Sequence, residues 1–392
     1  MTSLKILFTC GVRAFALIIM LLILMPAMTQ AQTPPDQKPM ENIETLLDNA
    51  RREAGLVGMG VGVMRKGKPV LIAVSGQRVK GQTPKIMPQD KWHWGSITKS
   101  MTATMIARLV EHGQMRWTMK VMDVLPKANI HPDWKTTTLE QLLTHTSGIR
   151  PNFPIGIAFS WPESQAELDR ARRQAVLDIL AKPRSSEAGE FVYSNVGYTL
   201  AGVMAAEVTG KSWEELMRQE VFQPLGLHSA GFGAPLPKDS QPWGHRKVFG
   251  IKTIAMNPEK TADNTPIMGP AGIVHMSIGD LLKYGQAHLS GERGEETIPA
   301  HYLSTQTWQY LHKPYKKDYA KGWVVPAHRD WAKGRAIWHN GSNTMWYAVL
   351  ALAPNTNTVY VFVTNDGGDI KKADKAFAGL LKTLAKREPQ KP

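Results

Sequence analysis

Ser96 and Lys99 stand three residues apart in Trp94-Gly95-Ser96-Ile97-Thr98-Lys99, and Ser96 is the only serine with a lysine at that spacing. Met101, Met105, Ile106, Leu109 and Val110 follow at helical intervals as far as Gly113, so the pair is predicted to open a helix. At that spacing both side chains share one face. A helix start offers free backbone N–H groups and the positive end of the dipole to a developing anion. Lys99, one turn further in, borders the apolar face. Burial there disfavours its charge and makes it a candidate base for the Ser96 hydroxyl. The chemistry would be nucleophilic attack by serine. The same letters also suit a serine cap followed by a surface lysine.

Two further groups could join such a site. Tyr193-Ser194-Asn195 precedes an apolar helical pattern; read alone, Tyr193 suits a core aromatic and Asn195 a cap. His339-Asn340-Gly341-Ser342 runs into an apolar strand. Gly341 can mark a bulge, or it can let a substrate lie against the strand backbone.

Other chemistries are poorly supplied. The only cysteine, Cys10, excludes a disulfide scaffold and a thiolate-held zinc or iron–sulfur site. The 12 histidines form no H-E-x-x-H and no close His/Asp cluster, so no metal and no other cofactor is expected. G-x-S-x-G is absent, which argues against an α/β-hydrolase. Gly58, Gly60 and Gly62 suggest a dinucleotide loop, but Val63 breaks G-x-G-x-x-G. Glycines at period two instead clear one face of a strand for a close-packed helix.

At 392 residues, 43% hydrophobic and 20% charged, the chain has the composition of a folded protein with an ordinary core. Lys5 and Arg13, the apolar run 14–28 and Thr29-Gln30-Ala31 have the form of a secretory signal peptide, expected to be cleaved near Ala31. No other stretch is long enough to span a membrane, so membrane contact is expected only through that segment if it stays uncleaved. A secreted chain without cysteine in its remainder suits a bacterial periplasm or exterior. The net charge of +14 is scattered and not interleaved with aromatics, so no nucleic-acid partner is expected. Weak steering of an anionic substrate is consistent with it.

The elements that must position these residues follow from periodicity. Residues 32–39 read as a flexible lead-in. Ile43, Leu46, Leu47, Ala50 and Ala54 mark a helix ending at Gly55. Segments 57–64 and 70–74 read as a hairpin. The pattern is mainly helical from 96 to 291. Strands return at 322–326, 336–338, 347–353 and 359–364, and a tail helix carries Ala373, Ala376, Phe377, Leu380, Leu381 and Leu384 at helical spacing. Strands at both ends and helices between them predict an α/β (α+β) fold: one antiparallel sheet built from both chain ends, flanked by helices, with a large, mainly helical insert. The expected division is a signal peptide at 1–31 and one domain at 40–392. Its sheet part is about 40–90 and 321–392, its helical part about 91–320.

In this order the three groups resemble S-x-x-K, Y-x-N and H-x-G of the serine β-lactamase and penicillin-binding superfamily, in its class C β-lactamase-like branch. That branch holds D-Ala-D-Ala carboxypeptidases, D-aminopeptidases and carboxylesterases. The segments 142–148, 224–227 and 269–272 are also similar to family segments, and the resemblance covers roughly 40–385. It implies a β-lactamase/transpeptidase-like fold and a Ser96 acyl-enzyme. Lys99 and Tyr193 would share the proton transfers, with Tyr193 a base only if cations lower its pKa. Asn195 would hold the substrate amide, and the backbone N–H groups of Ser96 and Ser342 the oxyanion. His339 and Gly341 would line the binding site, with His339 placed to meet a substrate carboxylate. The substrate would be a small molecule or peptide, carboxylate-bearing if His339 has that role. K-[ST]-G is absent, so the resemblance favours the peptidases, aminopeptidases and esterases of the branch over strong β-lactamases. The other readings are a carboxylesterase or weak β-lactamase of the same mechanism, and a penicillin- or peptide-binding protein without turnover.

Overall fold

The computed structural model describes residues 42–126, 129–259, 262–296 and 299–387. The expected signal peptide and lead-in lie outside these residues. The described strands are β1 (Gly58–Arg65), β2 (Lys68–Gly76), β3 (Lys91–His93), β4 (Gly231–Phe232), β5 (His245–Val248), β6 (Lys252–Ala255), β7 (Val274–Ser277), β8 (Ile337–Ser342), β9 (Tyr347–Ala353) and β10 (Thr358–Thr364). Five form an antiparallel sheet in the order β2-β1-β10-β9-β8. The first and last parts of the chain thus meet at β1–β10, as the distribution of strand segments predicted.

Alternation along β10 separates two cores. Tyr360 and Phe362 face the helices Ile43–Ala54 and Ile370–Lys386, with Leu47, Phe377 and Leu380. Val359, Val361 and Val363 face the larger core, which includes the helix Ile278–Glu292. Gly60 and Gly62 clear the way for that helix: an added Cβ would lie 2.7 and 2.4 Å from Ile278 side-chain atoms.

The structure corrects three details. Residues 322–326 form no strand, because Val324 makes only isolated bridges to Tyr319 and Trp338. The strand expected at 336–338 starts at Ile337 and continues through Ser342, so all of His339-Asn340-Gly341-Ser342 is sheet. The region expected to be mainly helical also carries a sheet of order β3-β7-β4 and the hairpin β5–β6. Strands of two to four residues are too short to show a period of two. No helix among the described residues is long and apolar enough to cross a membrane.

Candidate active site

Ser96 lies in a single 3-10 turn, Gly95–Ile97, which runs directly into the helix Thr98–Glu111. The cap positions are Trp94 for that turn and Ile97 for the helix, so the cap reading of Ser96 fails. The helix is wrapped on nearly every side, with Thr98 through Ala107 all buried. Lys99 is therefore not a surface lysine but completely buried. Burial pushes its pKa well below the usual lysine value.

Three groups surround the amine. Asn195 Oδ1 and the Ala271 carbonyl each accept a hydrogen bond from Nζ at 2.7 Å, and Ser96 Oγ lies 3.0 Å away. A carbonyl oxygen can only accept. A neutral amine has two N–H bonds and one lone pair, so those two acceptors use both N–H bonds. The lone pair is left for the Ser96 hydroxyl proton. This arrangement suits a base and is reinforced by the direction of the pKa shift.

Tyr193 borders the same atoms. Its phenol is hydrogen bonded to Ser96, and Lys99 Nζ lies 4.8 Å from its ring centroid. Desolvation raises its pKa above the usual phenol value, against a smaller opposing effect of the Ser96 hydrogen bond. The condition for Tyr193 as a base, a lowered pKa, is not met in the free protein. It is a protonated donor beside a neutral amine.

Asn195 opens the helix Asn195–Thr209, but Ser194 is its cap, accepting from the Gly197 N–H at 3.0 Å. Asn195 is thereby free to face the site, where its Nδ2 donates to Asn152 Oδ1 at 2.6 Å. His145, in the left-handed region at φ 60°, accepts from the Ser194 N–H at 3.0 Å through Nδ1. Its ring packs against Tyr193 with centroids 4.3 Å apart. Sequence reasoning assigned no role to His145 or Asn152. The 142–148 segment contained the first, whereas nothing near the second signalled it. The Ala271 carbonyl lies in the flagged 269–272 segment, but backbone acceptors leave no trace in side-chain letters.

His339 is brought to the wall of the site, 6.3 Å from Tyr193 between centroids. It does not offer a cation there. The residue is buried, its Nδ1 donates to its neighbour's carbonyl on Asn340 at 2.5 Å, and its Nε2 accepts from the Tyr319 hydroxyl at 3.1 Å. Burial lowers its pKa to about 3. The expected carboxylate contact is thus corrected to a neutral, internally bonded wall residue. Activity on a matched carboxylate and methyl-ester substrate pair should keep a constant ratio from pH 8 to pH 5, because His339 stays neutral throughout that range. A ratio that rises as pH falls through 6.5 would restore the cationic role.

Gly341 is neither a bulge nor a clearing for substrate. Pairing with β9 is continuous through it, and an added Cβ would sit 1.9 Å from the Trp94 carbonyl and 2.8 Å from the Ser96 nitrogen. Gly95, at φ 50°, is the reciprocal contact: its Cβ would lie 2.4 Å from the Ser342 nitrogen. These two glycines press the Ser96 turn against the end of β8, bringing the Ser96 and Ser342 backbones together. The first N–H groups of a helical turn lack intrahelical partners, and an oxyanion site needs such donors. Gly341→Ala meets backbone on both sides, which no rotamer can relieve. It should cost about 3 kcal/mol, the upper part of the overpacking range, and should slow labelling of the folded fraction. Thermal melting and active-site titration would check this; a normal melting temperature would remove the close-contact account.

Among the described residues no group of three or more His, Cys, Asp or Glu side chains could hold a metal ion.

The chain is 26% identical over 364 residues to penicillin-binding protein 4 of Amycolatopsis lactamdurans, covering 86% of this chain and 88% of that one. It is 24% identical to the D-alanyl-D-alanine-carboxypeptidase/endopeptidase AmpH of Escherichia coli K12, covering 82% and 83%. D-amino acid amidase of Ochrobactrum anthropi SV3, solved with D-phenylalanine, superposes with a TM-score of 0.70 at 18% identity, over 88% of this chain and 98% of that one. The fold is the β-lactamase/transpeptidase-like fold. The family model described as Beta-lactamase matches residues 42–385, and the chain belongs to that family.

Proposed function

We propose that the protein is a serine hydrolase that cleaves an amide or ester through a Ser96 acyl-enzyme, with D-amino-acid peptides or amides as the substrate class. The observation that carries this is the buried Lys99 amine, 3.0 Å from Ser96 Oγ with both N–H bonds directed elsewhere. Lys99 takes the Ser96 proton as Oγ bonds to the substrate carbonyl carbon. The Ser96 and Ser342 N–H groups receive the oxyanion. As the bond to the leaving group breaks, Tyr193 donates its proton to that group and recovers one from the Lys99 ammonium. Water then attacks the acyl carbon and passes a proton to Lys99, and Ser96 leaves with its own proton restored. Asn195 orients both Lys99 and, with Asn152, the substrate amide.

Two bacterial relatives, a penicillin-binding protein and a D-alanyl-D-alanine carboxypeptidase/endopeptidase, support the substrate class. A neutral His339 favours neutral amides and esters over acids at the β8 edge. Export to the periplasm or exterior rests on residues 1–31. The test is a hydrolysis screen across D-amino acid amides, D-alanyl-D-alanine peptides, p-nitrophenyl esters and a chromogenic cephalosporin, with the acyl adduct mapped by mass spectrometry. D-amide or D-peptide turnover with the adduct on Ser96 is expected. An adduct on another residue would sink the mechanism. Turnover of esters alone would replace the substrate class by carboxylic esters, and an adduct without turnover would make this a binding protein.

A further inference from the structure

The two backbone segments expected to bind the oxyanion are tied together behind the site by one buried carboxylate. His93 ends β3, two residues before Gly95, and its Nδ1 accepts from the Gly95 N–H at 3.1 Å. With Nδ1 accepting, a neutral ring carries its proton on Nε2. That atom lies 2.8 Å from Asp263 Oδ1. On the other side, Asn343 directly follows Ser342, and its Nδ2 donates to the same Oδ1 at 2.8 Å. Asn343 Oδ1 meanwhile accepts from the Met345 and Trp346 N–H groups, at 3.2 and 3.0 Å. A third arm reaches the Lys99 anchor. Asn264 donates its N–H to Asp263 Oδ1 at 2.6 Å, and its Nδ2 to the carbonyl of Gly272, the residue after Ala271.

We infer that Asp263 is a positioning residue that holds the Ser96 and Ser342 N–H groups in register for the oxyanion, acting through His93 and Asn343. This rests on the acyl-enzyme reading above. The orientation of the Gly95–Ser96 peptide sets where the Ser96 N–H points. The His93 acceptor holds the preceding Trp94–Gly95 peptide, and the contact of Gly95 with Ser342 confines the residue between the two peptides. The Ser342 N–H belongs to the Gly341–Ser342 peptide at the end of β8, and the Asn343 side chain anchors the residue that follows it. Both arms end on one oxygen, the Asn343 arm by a hydrogen bond and the His93 arm by a close N···O contact, so neither segment can turn without disrupting a buried polar contact. His93 is completely buried and the Asp263 side chain nearly so, and neither His93 Nε2 nor Asp263 Oδ2 has a partner of hydrogen-bond geometry among the described residues. A buried carboxylate with one idle oxygen costs stability, and an apolar residue would serve packing better. Its retention is accounted for by the geometry it imposes on the two N–H groups.

Preorganised donors act on the transition state and leave ground-state binding nearly unchanged. Removing one oxyanion donor outright costs about 10²–10³ in kcat, so misaligning the pair should cost about ten- to a hundredfold. The experiment compares Asp263→Ala, Asp263→Asn, His93→Ala and Asn343→Ala on the best substrate from the screen. It adds the affinity of a phenylboronic acid, whose tetrahedral adduct on Ser96 places an oxygen among the same donors. The alanine variants should lose kcat with KM within about twofold, and boronate affinity should fall by the same factor as kcat/KM. His93→Ala and Asp263→Ala combined should lose no more than the worse single change, since both sever one link. Asp263→Asn keeps an oxygen acceptor for both arms and should restore most of the rate. If Asp263→Ala does not fold, His93→Ala and Asn343→Ala carry the test separately. A folded alanine variant with unchanged kcat, or one whose loss lies wholly in KM, overturns the inference. Wild-type label mapped away from Ser96 instead refutes the underlying mechanism.

Discussion

Ser96→Ala is expected to end both turnover and covalent labelling by a fluorophosphonate while leaving the chain folded. The substitution removes one atom, Oγ, whose neighbours are Lys99 Nζ at 3.0 Å and the Tyr193 phenol. Because Ser96 does not cap the helix that follows, its hydroxyl contributes no more than an ordinary hydrogen bond, about 1 kcal/mol. Its loss to the chemistry is far larger, since no acyl bond can form without it. Loss of the nucleophile in a serine hydrolase lowers kcat by about a millionfold, leaving the residual effect of oxyanion donors and binding. Melting curves and labelling measured on the same preparation separate the two quantities. A folded variant that turns substrate over at the wild-type rate would exclude Ser96 as the nucleophile.

Lys99→Met should reduce kcat/KM by about 10²–10⁴, the usual contribution of a positioned base. Tyr193→Phe should also slow the reaction, and the double variant should fall short of the product of the two losses, because both groups move one proton. The pH profile carries independent information. Lys99 acts as a base only when neutral, so wild-type activity should fall as pH drops through its depressed pKa, well below the usual lysine range. Stability follows the same group with a definite sign. In the unfolded chain Lys99 titrates near the usual value, so below that pH the unfolded state binds more protons than the folded state, and wild-type stability rises with pH. The window runs from the depressed pKa up to about 10.4. Lys99→Met removes this dependence, so the melting-temperature difference should shift in favour of the wild type between pH 7 and pH 10. A difference that stays constant over that interval would mean Lys99 is protonated in the folded protein, and the neutral-base mechanism would fail with it.

Much of the layout was legible because it depends on local periodicity. The helix Ile43–Ala54, the β1–β2 hairpin, β9, β10 and the tail helix each carry an apolar repeat that only one conformation can bury. Strand segments at the two ends of the chain then require a sheet closed by its termini. Ser96, Lys99, Tyr193, Asn195, His339 and Gly341 were legible as an ordered set through the resemblance to S-x-x-K, Y-x-N and H-x-G, whereas spacing alone joined only Ser96 and Lys99. Their local roles were less so. Ser194, not Asn195, caps the helix Asn195–Thr209, and only the cap geometry distinguishes these neighbours.

The sequence by itself placed Ser96 and Lys99 on one face, because spacing along a helix sets which side chains share it, and the resemblance added Tyr193, Asn195, His339 and Gly341. Only the tertiary structure decided their protonation and their purpose. The Lys99 pKa is depressed because other helices enclose the side of its own helix that spacing alone leaves open, and enclosure by distant segments is not a local property. His339 is kept neutral by the same cause, with the Tyr319 hydroxyl and the Asn340 carbonyl occupying its two ring nitrogens. Gly341 proved to be a point of contact with Trp94 and Ser96, more than 240 positions away in the chain. Asp263 and His93, too far apart to register as a cluster in the sequence, meet at 2.8 Å. Desolvation and close backbone approach depend on which segments pack together, and that is decided by the whole chain collapsing around one core.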